Sequence, residues 1–187
     1  MNFKQRSICL FCIFYIISHS LLAQRKFIKT FWGSLDAGLG STTSSLKDRL
    51  AGGYAWGFTL RSQLNTTLLL GIGGQRLYQN IGADVETYNV FFGGIWHHYR
   101  VSFTFSSGVS FAFVKEYVPP TGCTSVICPG GVHVDKPLTF GVPALVEAIW
   151  GSKNLGIGIK AYANINREDS FYYIGLMLAF GKIRPRY

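Results

Sequence analysis

The stretch VSFTFSSGVSFAFV, residues 101–114, divides into two sets of alternate positions. One set is Val101, Phe103, Phe105, Ser107, Val109, Phe111 and Phe113. The other is Ser102, Thr104, Ser106, Gly108, Ser110, Ala112 and Val114. A period of two is that of a strand whose faces meet different surroundings. The same signature marks seven further segments: Trp32–Ser41, Gly52–Gln63, Thr66–Tyr78, Thr87–His98, Pro137–Trp150, Leu155–Asn166 and Phe171–Lys182. In the second of the eight, Tyr54, Trp56, Phe58 and Leu60 oppose Ala55, Gly57, Thr59 and Arg61. In the seventh, Leu155, Ile157, Ile159, Ala161 and Ile165 oppose Gly156, Gly158, Lys160, Tyr162 and Asn164.

The connections alternate in length. Leu64-Asn65, Tyr99-Arg100 and 151–154 are tight turns. Residues 42–51, 79–86 and 115–136 make longer loops, with 167–170 the short member of that set. Eight strands with short turns at one end and long loops at the other predict an all-β, antiparallel, up-and-down transmembrane barrel. Both termini then fall at the short-turn, periplasmic end. The bulky apolar face would look outward to lipid. The opposite face would fill a narrow interior with small and polar groups. A soluble lipocalin-like barrel is the alternative, and it would exchange the two faces.

Charge placement favours the first reading. Asp36, Arg61, Glu147 and Lys160 lie deep within strands, and all four belong to the polar face. At the midplane of a bilayer a lipid-facing Arg or Lys costs about 2–4 kcal/mol. Two positive and two negative groups inside can instead pair, and the sequence predicts a plug of these four, with Glu147 and Lys160 at diagonal positions across the 151–154 turn. Aromatic residues predict two girdles. Trp32, Trp96, Tyr99 and Trp150 fall at the short-turn end. Tyr54, Tyr78, Tyr88, Tyr117 and Tyr172 fall at the loop end.

Composition agrees with a chain that meets lipid. Of 187 residues, 48% are hydrophobic and only 14% charged, against about 25% charged in typical soluble domains. Lys4 and Arg6, the apolar run Ile8–Ile17 and Ala23 read as an export signal over residues 1–23. Residues 24–187 would then be the barrel with short periplasmic tails. No later run has the ~20 apolar residues of a spanning helix. Cys9 and Cys12 leave with the signal. Cys123 and Cys128 remain in a Pro/Gly-rich loop, the setting of a disulfide in an exported protein, with two free thiols the alternative. Nothing in the sequence points to a cofactor, and a metal site is disfavoured because only His133 lies near the two cysteines.

The formal net charge of +9 is unevenly spread. The short-turn end holds Arg25, Lys26, Lys29, Arg100, Lys153, Lys182, Arg184 and Arg186 without an acid. Anionic lipid headgroups of the inner leaflet fit that rim, and plain solvated termini are the other account. A nucleic-acid partner is disfavoured, because no basic face with interleaved stacking aromatics is present.

Two segments, FGVPALVEAIWGSKNLGIGIKAYANIN (140–166) and FYYIGLMLAFGKI (171–183), carry a resemblance to the small eight-stranded outer-membrane proteins of the OmpA/OmpX shape. More narrowly the chain resembles the Bacteroidota-type outer membrane β-barrel domain proteins. The resemblance implies a bacterial outer-membrane location. Tyr173, Gly175, Leu178 and Phe180 are similar to the C-terminal signal read by the barrel assembly machinery, with Gly181–Tyr187 left as a short periplasmic tail, or else Tyr187 is the end signal. Some barrels of this size modify lipid A, chemistry that needs a His-activated nucleophile near the outer rim. Here His97 and His98 fall at the periplasmic end. His133 has no Ser/acid set beside it, and Ser106, Ser107 and Ser110 read as wall residues. An enzyme is therefore disfavoured. Eight strands also leave too little space for a wide pore. The expected role is structural or surface-interacting, with the long loop 115–136 as the contact site for an extracellular ligand or protein yet to be identified.

Overall fold

The computed structural model describes residues 30–43, 52–79, 83–118, 132–167 and 169–184. The export signal, the Cys123/Cys128 pair and the basic residues Arg25, Lys26, Lys29 and Arg186 lie outside them. The described residues form nine strands: β1 (Thr30–Thr42), β2 (Gly53–Gln63), β3 (Leu68–Tyr78), β4 (Ala83–His98), β5 (Val101–Val118), β6 (Val132–Asp135), β7 (Thr139–Gly151), β8 (Leu155–Asn166) and β9 (Phe171–Lys182). Eight of them close a ring, β1-β2-β3-β4-β5-β7-β8-β9 and back to β1, with every pairing antiparallel. Closure leaves no edge in the wall, the condition for strands to cross a membrane. Strands of 11–13 residues tilted at ~45° span about 25 Å, the height of an apolar band.

The strand expected over 101–114 is longer than its alternation indicated. Beyond Ala112, where pairing with β7 ends, β5 continues to Val118 and takes β6 as a partner through Lys115↔Asp135, Glu116↔Val134, Tyr117↔His133 and Val118↔Val132. The loop expected over 115–136 thus begins and ends as sheet. The six residues past Ala112 extend the strand by about 20 Å. Val114 is still buried, but from Lys115 on both faces meet water and the alternation that marks the wall fades: Lys115 and Glu116 are both exposed. Cross-strand ion pairs hold this part together, Lys115 with Asp135 at 3.4 Å and Lys136 with Glu116 at 3.0 Å. On the neighbouring strand, β4 begins at Ala83, inside the loop expected over 79–86.

The wall is inverted relative to a soluble protein. Phe103, Phe105, Val109 and Phe111 of β5 point outward, Phe105 at 62% exposure, while Ser102, Thr104, Ser106 and Ser110 are buried within. The same holds around the ring, with Leu35, Phe92, Ile157 and Leu176 outside. Such a surface is stable only against hydrocarbon, and the protein is a transmembrane barrel.

The interior departs from the expectation of small and polar filling. An apolar cluster of Trp32, Leu69, Ile95, Ile149, Met177, Ala179 and Ile183 closes the turn end. A second, including Leu77, Val85, Phe91, Val114, Leu145, Tyr162, Phe171 and Tyr173, occupies the half toward the loops. Tyr162 packs at 5.1 Å from Phe171 and 5.4 Å from Tyr173, ring centre to ring centre. Trp32 corrects the girdle assignment: it is 0% exposed and faces inward. Its position follows from parity, since Ser34 and Asp36 on the same strand also face inward, and Phe31 takes the outward place.

β1 and β9 meet where Gly38 lies opposite Gly175. A Cβ on Gly38 would stand 2.0 Å from the Ile174 carbonyl oxygen, so only glycine allows the closing strands to approach here.

Candidate functional site: the barrel interior and its rims

The four buried charges meet at mid-height, but not in the pairing expected. Glu147 and Lys160 are directly opposite in the β7–β8 register rather than diagonal. Neither takes the other as its ion-pair partner. Glu147 receives Arg61 at 3.0 Å, and Lys160 binds Asp36 at 2.5 Å. The reason is geometric. Arg61 on β2 reaches Glu147 on β7 across the lumen, while Asp36 on β1 reaches Lys160 on β8 past the intervening β9.

Hydroxyl groups complete the set. Arg61 Nη1 donates to Thr104 Oγ1 at 3.0 Å and to Ser106 Oγ at 3.3 Å, and Thr104 Oγ1 donates to Glu147 Oε2 at 2.9 Å. Lys160 Nζ donates to Thr59 Oγ1 at 3.0 Å, and the Tyr173 hydroxyl donates to Asp36 Oδ2. Above this layer the Tyr162 hydroxyl donates to Asn89 Oδ1 at 2.9 Å, Asn89 donates to Gln75, and Asn164 Nδ2 donates to Ser110 Oγ at 2.9 Å. All four charged side chains are without solvent exposure. Removing one member of a buried pair costs about 3–5 kcal/mol, because the other is left charged and unpaired.

The layers from one end to the other are apolar, charged and mainly apolar again. They fill the lumen instead of lining a passage. A concavity of about 570 Å³ lies on the outer wall, among Leu39, Ala144, Val146, Ala161, Ala163 and Ile174. Most of its lining is the lipid-facing side of the wall.

The girdles are described apart from Trp32 and the Tyr117 side chain, which lies outside the described part. Trp96, Tyr99 and Trp150 are exposed at the turn end, with Trp96 stacked on Phe103 at 5.7 Å. At the loop end Tyr54 and Tyr78 are exposed, and Tyr88 and Tyr172 are half-buried on the outer face. A feature not read from the sequence marks this height. Arg76, directly opposite Glu86 across β3 and β4, lies over the Tyr78 ring at 4.2 Å, and Tyr88 donates to Glu86. The signal was present: Arg76 belongs to the outward set of β3, where a charge is tolerated only at an interface.

Of the proposed assembly-signal residues, Tyr173 faces the interior, while Leu178 and Phe180 face outward. Gly175 lies at the β1–β9 closure.

A second pairing was missed in the sequence. His97 Nδ1 lies 2.9 Å from Ser102 Oγ, across the β4–β5 hairpin. This is the reach of a nucleophile and its base. Ser102 is nevertheless fully buried, and no carboxylate among the described residues lies at this end to orient the imidazole. A substrate has no path to the hydroxyl, so the pair reads as a wall hydrogen bond. Among the described residues no three His, Cys, Asp or Glu side chains gather as metal ligands would.

No family model matches the chain, and no curated protein matches it. Solved structures do. The crystal structure of Neisserial surface protein A matches with a TM-score of 0.59 at 14% identity, over 80% of this chain and 96% of that one. The N-terminal β-barrel domain of Pseudomonas aeruginosa OprF matches with a TM-score of 0.54 at 8% identity, over 80% and 96% of the two chains. At such identities the likeness is one of fold. The fold and its apolar exterior are those of small bacterial outer-membrane β-barrels.

Proposed function

We propose that this protein is an integral outer-membrane barrel of structural or surface-interaction type, with the segment 115–136 as its contact site. The observation that carries the reading is the filled interior. A lumen closed by two apolar clusters around a paired charge layer supports a rigid stake, not a conduit or a catalytic cleft. The β5–β6 extension continues the sheet past the end of the β5–β7 pairing as far as Val118 and Val132, a rigid base on which a contact site can be presented to a partner.

Two measurements test this. Outer-membrane fractions run on a semi-native gel, heated and unheated, are expected to show a mobility shift. On intact cells, a cysteine placed at Ser125 in a Cys123→Ser/Cys128→Ser chain is expected to react with an impermeant maleimide. Protection of that cysteine until the cells are lysed would remove the contact-site reading. Ohmic conductance of the pure protein in a planar bilayer would replace it with a pore.

A further inference from the structure

The turn end is organised by a tail that crosses it. At the end of β9, Gly181 N donates to Asn154 O at 3.0 Å, and just past it Ile183 N donates to Lys153 O at 2.9 Å, which lays the strand end and the start of the tail along the β7–β8 turn. Ile183 is buried in the apolar cluster closing this end. Arg184 Nη1 then donates to the Tyr99 carbonyl in the β4–β5 turn, and Gly151 N donates to Arg100 O at 3.1 Å. Tyr99 holds a left-handed backbone, φ 48°, which non-glycine residues rarely adopt and which a two-residue hairpin favours.

These links gather three segments that carry Arg100, Lys153, Lys182 and Arg184 onto one side of the rim. The β2–β3 turn, 64–67, carries no charge. Every described acid lies elsewhere: Asp36 and Glu147 in the lumen, and Asp84, Glu86, Glu116, Asp135 and Asp169 toward the loops. Directly beyond the cations the outer wall is apolar and exposed, through Trp150, Leu155, Ile157, Leu178 and Phe180. Cations at the interface above a greasy wall match one chemistry, a phosphate that carries acyl chains.

We infer that this sector of the rim is a binding site for anionic phospholipid headgroups of the inner leaflet, with the acyl chains lying on the β7–β8–β9 wall. A soluble polyanion would use the charges but leave the wall unused.

The test is native mass spectrometry of the folded full barrel in detergent, titrated with phosphatidylglycerol and, separately, phosphatidylcholine. Preferential binding of phosphatidylglycerol is expected. In the variant Arg100→Gln/Lys153→Gln/Lys182→Gln the preference should fall, by about fivefold for each cation that contacts the lipid. Arg184 is kept because it holds the rim turn. The control Lys115→Gln/Lys136→Gln, at the loop end, should retain the preference. Heat-dependent gel mobility establishes that each variant is folded, and Arg100→Gln alone serves if the triple variant is not. Equal binding of the two lipids would overturn the inference. So would equal losses in the triple variant and the control, which would mean attraction by net charge alone. Displacement of the lipid by soluble polyphosphate at matched charge would overturn it as well.

Discussion

Two ion pairs in this protein have the same 3.0 Å separation. Arg61–Glu147 lies in the lumen with neither side chain exposed, and Lys136–Glu116 lies on the β5–β6 extension with both partly in water. Distance does not distinguish them; surroundings do. In water a pair gains little, because each ion gives up hydration about as favourable as its partner. In the lumen both ions have already lost that hydration, so each depends on the other and on the hydroxyls of Thr104 and Ser106. The lumen pair therefore locks a single arrangement of the interior, while the outer pair helps keep the short β6 in register with the end of β5.

The comparison is broken most sharply by removing one ion. Glu147→Ala is expected to lower the stability of the barrel by about 3–5 kcal/mol in urea unfolding from lipid vesicles. Arg61→Met/Glu147→Leu should recover most of that loss, since the desolvated charges are gone together. A loss under ~1 kcal/mol for the single variant would mean that water reaches the pair.

A smaller effect tests the outside of the same wall. Phe105→Arg places a charge toward lipid near mid-height and should cost about 2–4 kcal/mol in the same assay, against about 0–1 for Trp96→Arg at the interface. Similar costs at the two depths would deny that the exposed Phe face lies in a bilayer. The smallest effect belongs to the outer pair. Lys136→Gln should change stability by about 0–1 kcal/mol, and a larger loss would show that the extension folds as part of the wall.

Much of the architecture was legible along the chain. Alternation located the eight wall strands because each is buried on one face by lipid and on the other by the lumen. The parity rule also placed Asp36, Arg61, Glu147 and Lys160 on one face. It contained the answer for Trp32 too, since Trp32 shares parity with Ser34 and Asp36; reading it as a girdle residue put its position at the strand end ahead of its face. The extension of β5 and the short β6 were not legible, because a strand wet on both faces has no reason to alternate.

By itself the sequence determined a barrel with a lipid-facing exterior, since apolar periodicity and charge placement are local properties that any closure must respect. Only the tertiary structure decided which buried charges pair, because the partners come from strands that are not neighbours in the sheet and lie far apart in sequence. It also decided that the lumen is sealed by Ile183 and Trp32 at one end and by Tyr162, Phe171 and Tyr173 toward the other. The arrangement at the turn-end rim has the same origin. Arg100, Lys153 and Arg184 lie in segments 30 or more residues apart and share one side because the β5–β7 and β8–β9 pairings set their turns side by side and the tail links them.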